Sequence, residues 1–184
     1  MAQGKNKRIG LEKSLLSVTG LSIIENEANL LQSIFDKLII VSSKKELKEK
    51  FPKIPFFNDI YSDIGPIAGI HSALYHIDTG AAFVFACDMP NLSKELIERQ
   101  IELYMKSNTE IVVPRHSKGI EPLHAIYHKR CILNINRIIK EKNYSIRSFY
   151  KGLRVKYFDV TNHEINYFYN INTMQDYYNL KKII

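Results

Sequence analysis

The ten residues AAFVFACDMP (residues 81–90) decide the fold that this sequence predicts. An apolar run leads to Asp88, and Pro90 stops the strand because proline cannot donate a ladder hydrogen bond. This pattern is typical of a buried strand that delivers a carboxylate to the carboxyl edge of a sheet, where ligands bind in α/β folds. A carboxylate there suits Mg²⁺, which takes oxygen ligands and leaves positions for substrate phosphates. Two alternative roles are capping the next helix and pairing with a surface lysine, and the first is disfavoured because Ser93 already precedes that helix as its N-cap.

Helical and strand patterns alternate on both sides of this stretch. Apolar residues recur at helical spacing from 21 to 35, from 93 to 107 and from 132 to 143, and "GPIAG" opens a further helix over "GIHSALYHI". Short apolar runs predict strands in "DKLIIVSS", "EIVVPR", "LHAIYH", "RVKYFDV" and "NYFYNI", and a closing helix follows Thr173. The alternation predicts an α/β fold with a mostly parallel sheet covered on both faces.

Composition limits the class of protein. The 184 residues, 45% of them hydrophobic, fit one globular domain over 1–184. The net charge of +7 suits an anionic partner, whether nucleic acid, an acidic membrane surface or a polyphosphate ligand. Two cysteines without a CxxC pair indicate a reducing compartment. No apolar run reaches membrane-spanning length and no signal-peptide core is found, so we expect a cytoplasmic protein.

Two further stretches contain candidate ligand-binding residues. Gly65 and Pro66 form a turn that would let the backbone approach a flat ligand, although an ordinary strand-to-helix turn explains them equally well. Asp59 and Asp63 lie just upstream and could accept hydrogen bonds from a base or ribose, or simply be solvated. The histidines of "HAIYH" have helical metal-pair spacing, but a strand holds them roughly 13 Å apart, which argues against zinc.

The opening stretch MAQGKNKRIGLEK (residues 1–13) has two interpretations. Alone, it reads best as a basic tail, since it matches neither the Walker order nor G-x-G-x-x-G. Glycines and cations so closely spaced could also surround a triphosphate through backbone amides and positive charge.

Taken in order, these stretches resemble the molybdenum cofactor guanylyltransferase family of nucleotidyltransferases. The family opens with L-A-G-G-x-x-x-R-M-G-x-x-K, and its later segments G-P-L-A-G-I, C-D-M-P, E-P-L-x-A-x-Y and N-I-N-T-P-E-D resemble "GPIAGI", "CDMP", "EPLHAIY" and "NINTMQD". The resemblance covers nearly the whole chain. In the opening loop the matching positions of this sequence are Met1, Ala2, Gln3, Gly4, Arg8, Gly10 and Lys13.

The resemblance implies a Rossmann-like three-layer α/β/α sandwich and transfer of GMP from GTP to molybdopterin, with release of pyrophosphate. By this resemblance the opening loop binds the nucleotide phosphates, with Lys13 holding them and Arg8 assisting catalysis. Asp59, or Asp63 if the register differs, contacts the nucleotide, and Asp88 is the ligand of Mg²⁺. The segments containing "EPL" and "NINT" lie nearer the molybdopterin. Proteins that supply molybdopterin or receive the product are implied partners, whereas nucleic acid and membrane are not.

Three departures from the family pattern bear on these expectations. The chain begins almost inside the loop, so the first strand is expected to be missing or truncated. Gln3 replaces a loop glycine, and Ser42 stands where relatives often carry a nucleotide-contacting Asn. The alternatives are a related enzyme that uses CTP or a sugar-phosphate acceptor, a non-catalytic nucleotide-binding relative, and a nucleic-acid binder, which the acids of the cleft disfavour.

Overall fold

The computed structural model of this chain describes residues 17–18, 21–171, 175–176 and 178. The predicted phosphate loop and the expected loss of a first strand fall outside these residues. So do the candidate site residues Met1, Ala2, Gln3, Gly4, Arg8 and Lys13. Of the closing helix predicted from Thr173, the structure describes Gln175, Asp176 and Tyr178, which are helical as predicted.

The described elements alternate between strands and helices, as the sequence pattern predicts. The helices are α1 Ile23–Gln32, α2 Lys45–Lys50, α3 Pro66–His76, α4 Lys94–Lys106, α5 Ile132–Lys140 and α6 Ile146–Tyr150. The strands are β1 Ser17–Val18, β2 Leu21–Ser22, β3 Ile40–Val41, β4 Phe56–Phe57, β5 Ala81–Phe85, β6 Ile111–His116, β7 Gly119–Ile120, β8 His124–His128 and β9 Val155–Asp159.

Five of these strands form the main sheet. β8 lies between β5 and β6 and runs antiparallel to both, β7 pairs with β6 as a hairpin, and β9 pairs with β6 in parallel. The described sheet is therefore mixed, whereas the sequence predicts a mostly parallel one. The reason is the connection over 117–123, which is too short for the crossover that a parallel return from β6 would need.

Helices α3, α5 and α6 cover one face of the sheet. Ile67 and Ile70 of α3, Ile135 of α5 and Phe149 of α6 are fully buried against strand residues such as Tyr127. Strands β3 and β4 pair in parallel, and Val41 packs against this same cluster.

Helix α4 covers the opposite face, where Leu96 packs with Ile126 and Phe158. Phe35, just beyond α1, places its ring edge-on against Phe83 and Phe85 of β5, with centroids 6.0 and 6.1 Å apart. Helices thus lie on both faces, and the predicted three-layer α/β/α fold is confirmed.

Local chemistry sets the starts of the two helices next to the predicted site. Ser93 accepts a hydrogen bond from the Leu96 amide at 3.3 Å, which confirms it as the N-cap of α4. Helix α3 begins at Pro66, where a missing N–H costs nothing, directly after Gly65. Asp88 is therefore not needed as the cap of α4.

No helix among the described residues has the length and apolarity that crossing a membrane would require.

One predicted strand is wrong. Residues 166–171 alternate like a strand, but Glu164–Phe168 forms a 3₁₀ helix. The Glu164 carboxylate accepts hydrogen bonds from both the backbone N–H and the hydroxyl of Thr161, each at 2.8 Å. Both bonds join Thr161 to a residue three positions later, which favours a helical turn where the alternation alone indicates an extended chain.

Candidate active site

Strand direction brings several predicted segments to one edge of the sheet. Since β5 and β6 are both antiparallel to β8, they run in the same direction, and β9 follows β6. The carboxyl ends of β5, β6 and β9 therefore meet at a common edge. Asp88, His116 and Asp159 lie there, and this is the edge at which α/β proteins bind ligands.

The turn that carries Asp88 is held by backbone contacts from both flanking motifs. The Ala86 amide donates to the Leu123 carbonyl at 2.9 Å, and the Ile171 amide donates to the Asp88 carbonyl at 3.0 Å. Met89, in the same turn, is buried with 1% of its surface exposed and so fixes the turn to the protein interior. The structure thus brings the "CDMP", "EPL" and "NINT" segments together. Cys87 is exposed and lies beyond the strand.

The "EPL" segment is fixed by side chains of the neighbouring strands β6 and β8. His116 Nε2 lies 2.8 Å from Glu121 Oε1, and the Tyr127 hydroxyl donates to the Pro122 carbonyl at 2.7 Å. The Lys118 amide donates to His116 Nδ1, so Nε2 carries the proton that is shared with Glu121. These contacts give the segment a defined position beside the Asp88 turn.

His124 is structural, as its position in a strand predicts. It is fully buried, and burial lowers its pKa to about 4. Gln100 Nε2, which already donates to the Leu96 carbonyl, lies 3.2 Å from His124 Nδ1. The ring of Phe168 meets it edge-on at 4.9 Å, which connects the 3₁₀ helix to the start of β8.

Glu27 is a member of this site that the motifs do not reveal. It is 6% exposed and lies on the buried stripe of α1, which otherwise consists of Ile23, Ile24, Ala28 and Leu31. Its carboxyl accepts a hydrogen bond from the Met89 backbone N–H. Burial, with the neighbouring Asp88 charge as the second cause, raises the pKa of Glu27 to about 9. The signal in the sequence is a glutamate at an apolar position of a helical stripe.

Two buried oxygens flank the Asp88 turn without a hydrogen-bond partner within the described ranges. They are Glu27 Oε1 and Asn170 Oδ1, and their residues reach the turn through the Met89 amide and the neighbouring Ile171 amide. A buried polar atom without a partner requires an explanation, and a bound ion is one. Carboxylate and amide oxygens are the donors that hard divalent cations take, so the residues present fit such a cation.

The Gly65 turn has backbone geometry that few residues tolerate. Gly65 has φ 63° and ψ −147°, and Asp63 has φ 60°. The Ile60 amide donates to Ser72 Oγ of α3 at 2.9 Å, which ties the loop to the helix. Asp59 is exposed on this loop, and its assignment to the nucleotide stays a prediction.

The fold and this edge define a nucleotidyltransferase, and comparison with known proteins gives the family. A family model, the MobA-like NTP transferase domain, matches residues 1–157, and the chain belongs to that family. The probable molybdenum cofactor guanylyltransferase of Natranaerobius thermophilus is 31% identical over 100% of this chain and 94% of its own length. That of Clostridium perfringens strain 13 is 34% identical over 99% of this chain and 94% of its own length.

Solved structures agree on the fold. The crystal structure of molybdopterin-guanine dinucleotide biosynthesis protein A from Archaeoglobus fulgidus superposes with a TM-score of 0.80 at 30% identity, covering 96% of this chain and 92% of that one. A CMP-2-keto-3-deoxy-manno-octonic acid synthetase bound to CTP has a TM-score of 0.70 at 8% identity, over 93% of this chain and 90% of that one. The second likeness concerns the fold alone.

Proposed function

We propose that this protein transfers GMP from GTP to molybdopterin, releasing pyrophosphate and forming the guanine dinucleotide form of the molybdenum cofactor. The observation that carries the proposal is the convergence of the Asp88 turn with Leu123 and Ile171 at the carboxyl edge of the sheet. Each of these three residues comes from a segment that resembles the guanylyltransferases. The relatives over 30% identical, named as guanylyltransferases, support the same substrates.

The chemistry is a displacement at phosphorus. The terminal phosphate oxygen of molybdopterin attacks the α-phosphorus of GTP, a new P–O bond forms, and the bond to the leaving pyrophosphate breaks. The attacking oxygen is already anionic, so no side-chain base or covalent intermediate is needed. The obstacle is repulsion between two polyanions.

The residues of this chain act on that repulsion. We assign Lys13 and Arg8 to the nucleotide phosphates, where their charges offset the charge that develops on pyrophosphate. We assign Met1, Ala2, Gln3 and Gly4 to the same phosphates through backbone amides, and Asp59 to the nucleoside.

Asp88 would hold Mg²⁺, and the support for a cation is Asn170, whose side-chain oxygen is buried without a partner in the described part of the chain and whose neighbour Ile171 bonds the Asp88 carbonyl. When bound, the ion would neutralise part of the charge on the substrate phosphates. The two free thiols, Cys87 and Cys131, are consistent with a cytoplasmic location. We further propose that proteins which deliver molybdopterin or accept the product dock at this edge.

Pyrophosphate release measured with molybdopterin and each nucleoside triphosphate tests the proposal. We expect release with GTP and Mg²⁺, and loss of it in Asp88→Asn. The matched control is Asp78→Asn, because Asp78 is an exposed partner of Lys37 at the far end of α3. Release with CTP in place of GTP, or with a sugar phosphate in place of molybdopterin, would favour the related enzymes. GTP binding without release would favour a non-catalytic relative, and unchanged release in Asp88→Asn would refute the metal assignment.

A further inference from the structure

Two glutamates in the described part of the chain are buried, and they differ in the partners of their carboxyl groups. Glu110 is 8% exposed and lies at the start of β6, at the sheet edge opposite Asp88. Its carboxylate accepts the Arg154 amide at 2.9 Å and has the Arg154 guanidinium 3.9 Å away. This is the usual arrangement, since buried charges are stable in proteins when they are paired.

Glu27 is as deeply buried, but its described surroundings contain no such cation. It accepts one backbone N–H, from Met89, its Oε1 has no hydrogen-bond partner there, and the charge that acts on it is the like charge of Asp88. A leucine would satisfy the packing of α1 at this position better, because the flanking stripe residues are aliphatic or alanine.

Glu27 contacts the backbone N–H of Met89, the residue next to Asp88, so its buried oxygen, partnerless among the described residues, belongs to the surroundings of the Asp88 turn. A hard divalent cation takes carboxylate oxygens as ligands and would take one from each of the two residues. The open oxygen of Glu27 is available for such a bond while its partner oxygen keeps the Met89 amide. The burial of Glu27 then has a reason that helix packing does not give.

We propose that Glu27 is a second carboxylate ligand of the divalent cation that Asp88 binds. The inference rests on the proposed role of Asp88 as a metal ligand and extends it to helix α1. Two carboxylates balance the double positive charge within the protein itself, so the site would retain the cation before nucleotide arrives. A site with Asp88 alone would depend on substrate phosphates for most of its ligands.

The experiment measures Mn²⁺ binding to the full chain without nucleotide, by electron paramagnetic resonance of the free ion. The variants are Glu27→Gln, Asp88→Asn and, as a matched buried glutamate away from the site, Glu110→Gln. Glutamine at 27 keeps an oxygen for the Met89 amide and the shape of the side chain, so the fold is retained. The thermal melt of each variant with and without Mn²⁺ provides a second readout that does not depend on activity.

We expect Glu27→Gln to weaken Mn²⁺ binding at least 10-fold and to reduce the rise in melting temperature that Mn²⁺ causes. Asp88→Asn should weaken it as much or more, and Glu110→Gln should bind like wild type. Normal Mn²⁺ binding by Glu27→Gln, with loss in Asp88→Asn, would overturn the role of Glu27 and leave the Asp88 assignment intact. Normal binding by both variants would overturn the metal site of the proposed function as well.

Discussion

Replacing Gly65 by alanine should destabilise the protein through backbone conformation alone. Gly65 has φ 63° and ψ −147°, a region that is essentially restricted to glycine. A Cβ built on Gly65 would meet no atom within 4 Å, so steric crowding by neighbours contributes nothing. The expected cost is therefore that of holding a side chain in a sparsely populated backbone region, about 1–3 kcal/mol.

Gly69 provides the matched control four residues later. It lies inside α3, and its added Cβ would also meet nothing within 4 Å, but its backbone is helical. Alanine at 69 should therefore stabilise the protein by about 0.5–1 kcal/mol, because glycine loses more conformational entropy than alanine in a helix. The same substitution should thus have opposite signs at two neighbouring positions.

Urea unfolding gives the change in unfolding free energy of both variants and thermal melts give the change in melting temperature, each followed by circular dichroism. For a domain of this size, a change of 1 kcal/mol moves the melting temperature by about 2–4 °C. The Gly65→Ala variant should melt about 2–12 °C lower and Gly69→Ala about 1–4 °C higher. A Gly65→Ala variant as stable as wild type would refute the reasoning, since it would mean that the turn relaxes to an ordinary conformation without cost.

Three further predictions concern the described core and caps. Ser93→Ala should cost about 0.5–2 kcal/mol of unfolding free energy, since the Leu96 amide loses its cap; a melt equal to wild type would contradict this. Tyr127→Phe should cost about 1–3 kcal/mol, because the buried hydroxyl bonds both the Pro122 carbonyl and, at 2.9 Å, the Tyr150 hydroxyl. Urea titration checks this cost, and Tyr157→Phe, on a partly exposed ring, is the control. His124 is neutral in the folded state, with a pKa of about 4 against about 6.5 unfolded, so its contribution is complete above pH 6.5 and is lost as pH falls toward 4. His124→Gln should therefore lose less stability than wild type between pH 6.5 and 4, and parallel pH curves for the two proteins would show that protonation of His124 is not responsible.

The local patterns of this sequence predict most of its elements well. α3 follows the Gly65–Pro66 turn and α4 follows Ser93, because a helix start is set by a few neighbouring residues. The direction of β8 is not encoded in its own five residues. It follows from the short return after β6, so a reading of strand patterns alone predicts the wrong pairing sense.

The candidate site divides in the same way. Asp88 is predictable because the strand before it and the proline after it are local signals. Glu27 is not predictable as a site residue, since its place in the site depends on its contact with Met89, which lies far along the chain. Its only local sign is a charge on an apolar stripe, which is weaker evidence than a motif. The strand expected at 166–171 is wrong for a related reason, because the Thr161–Glu164 hydrogen bonds favour a helical turn over the extended chain that the alternation indicates.

The bond from the Ile171 amide to the Asp88 carbonyl has a consequence for how the protein is made. Ile171 lies beyond residues 1–157, which the family model matches, and follows every described strand of the main sheet along the chain. During synthesis those strands emerge before Ile171, so the turn that presents Asp88 acquires this contact after the sheet that positions it. The order of synthesis thus places the completion of this edge after that of its scaffold.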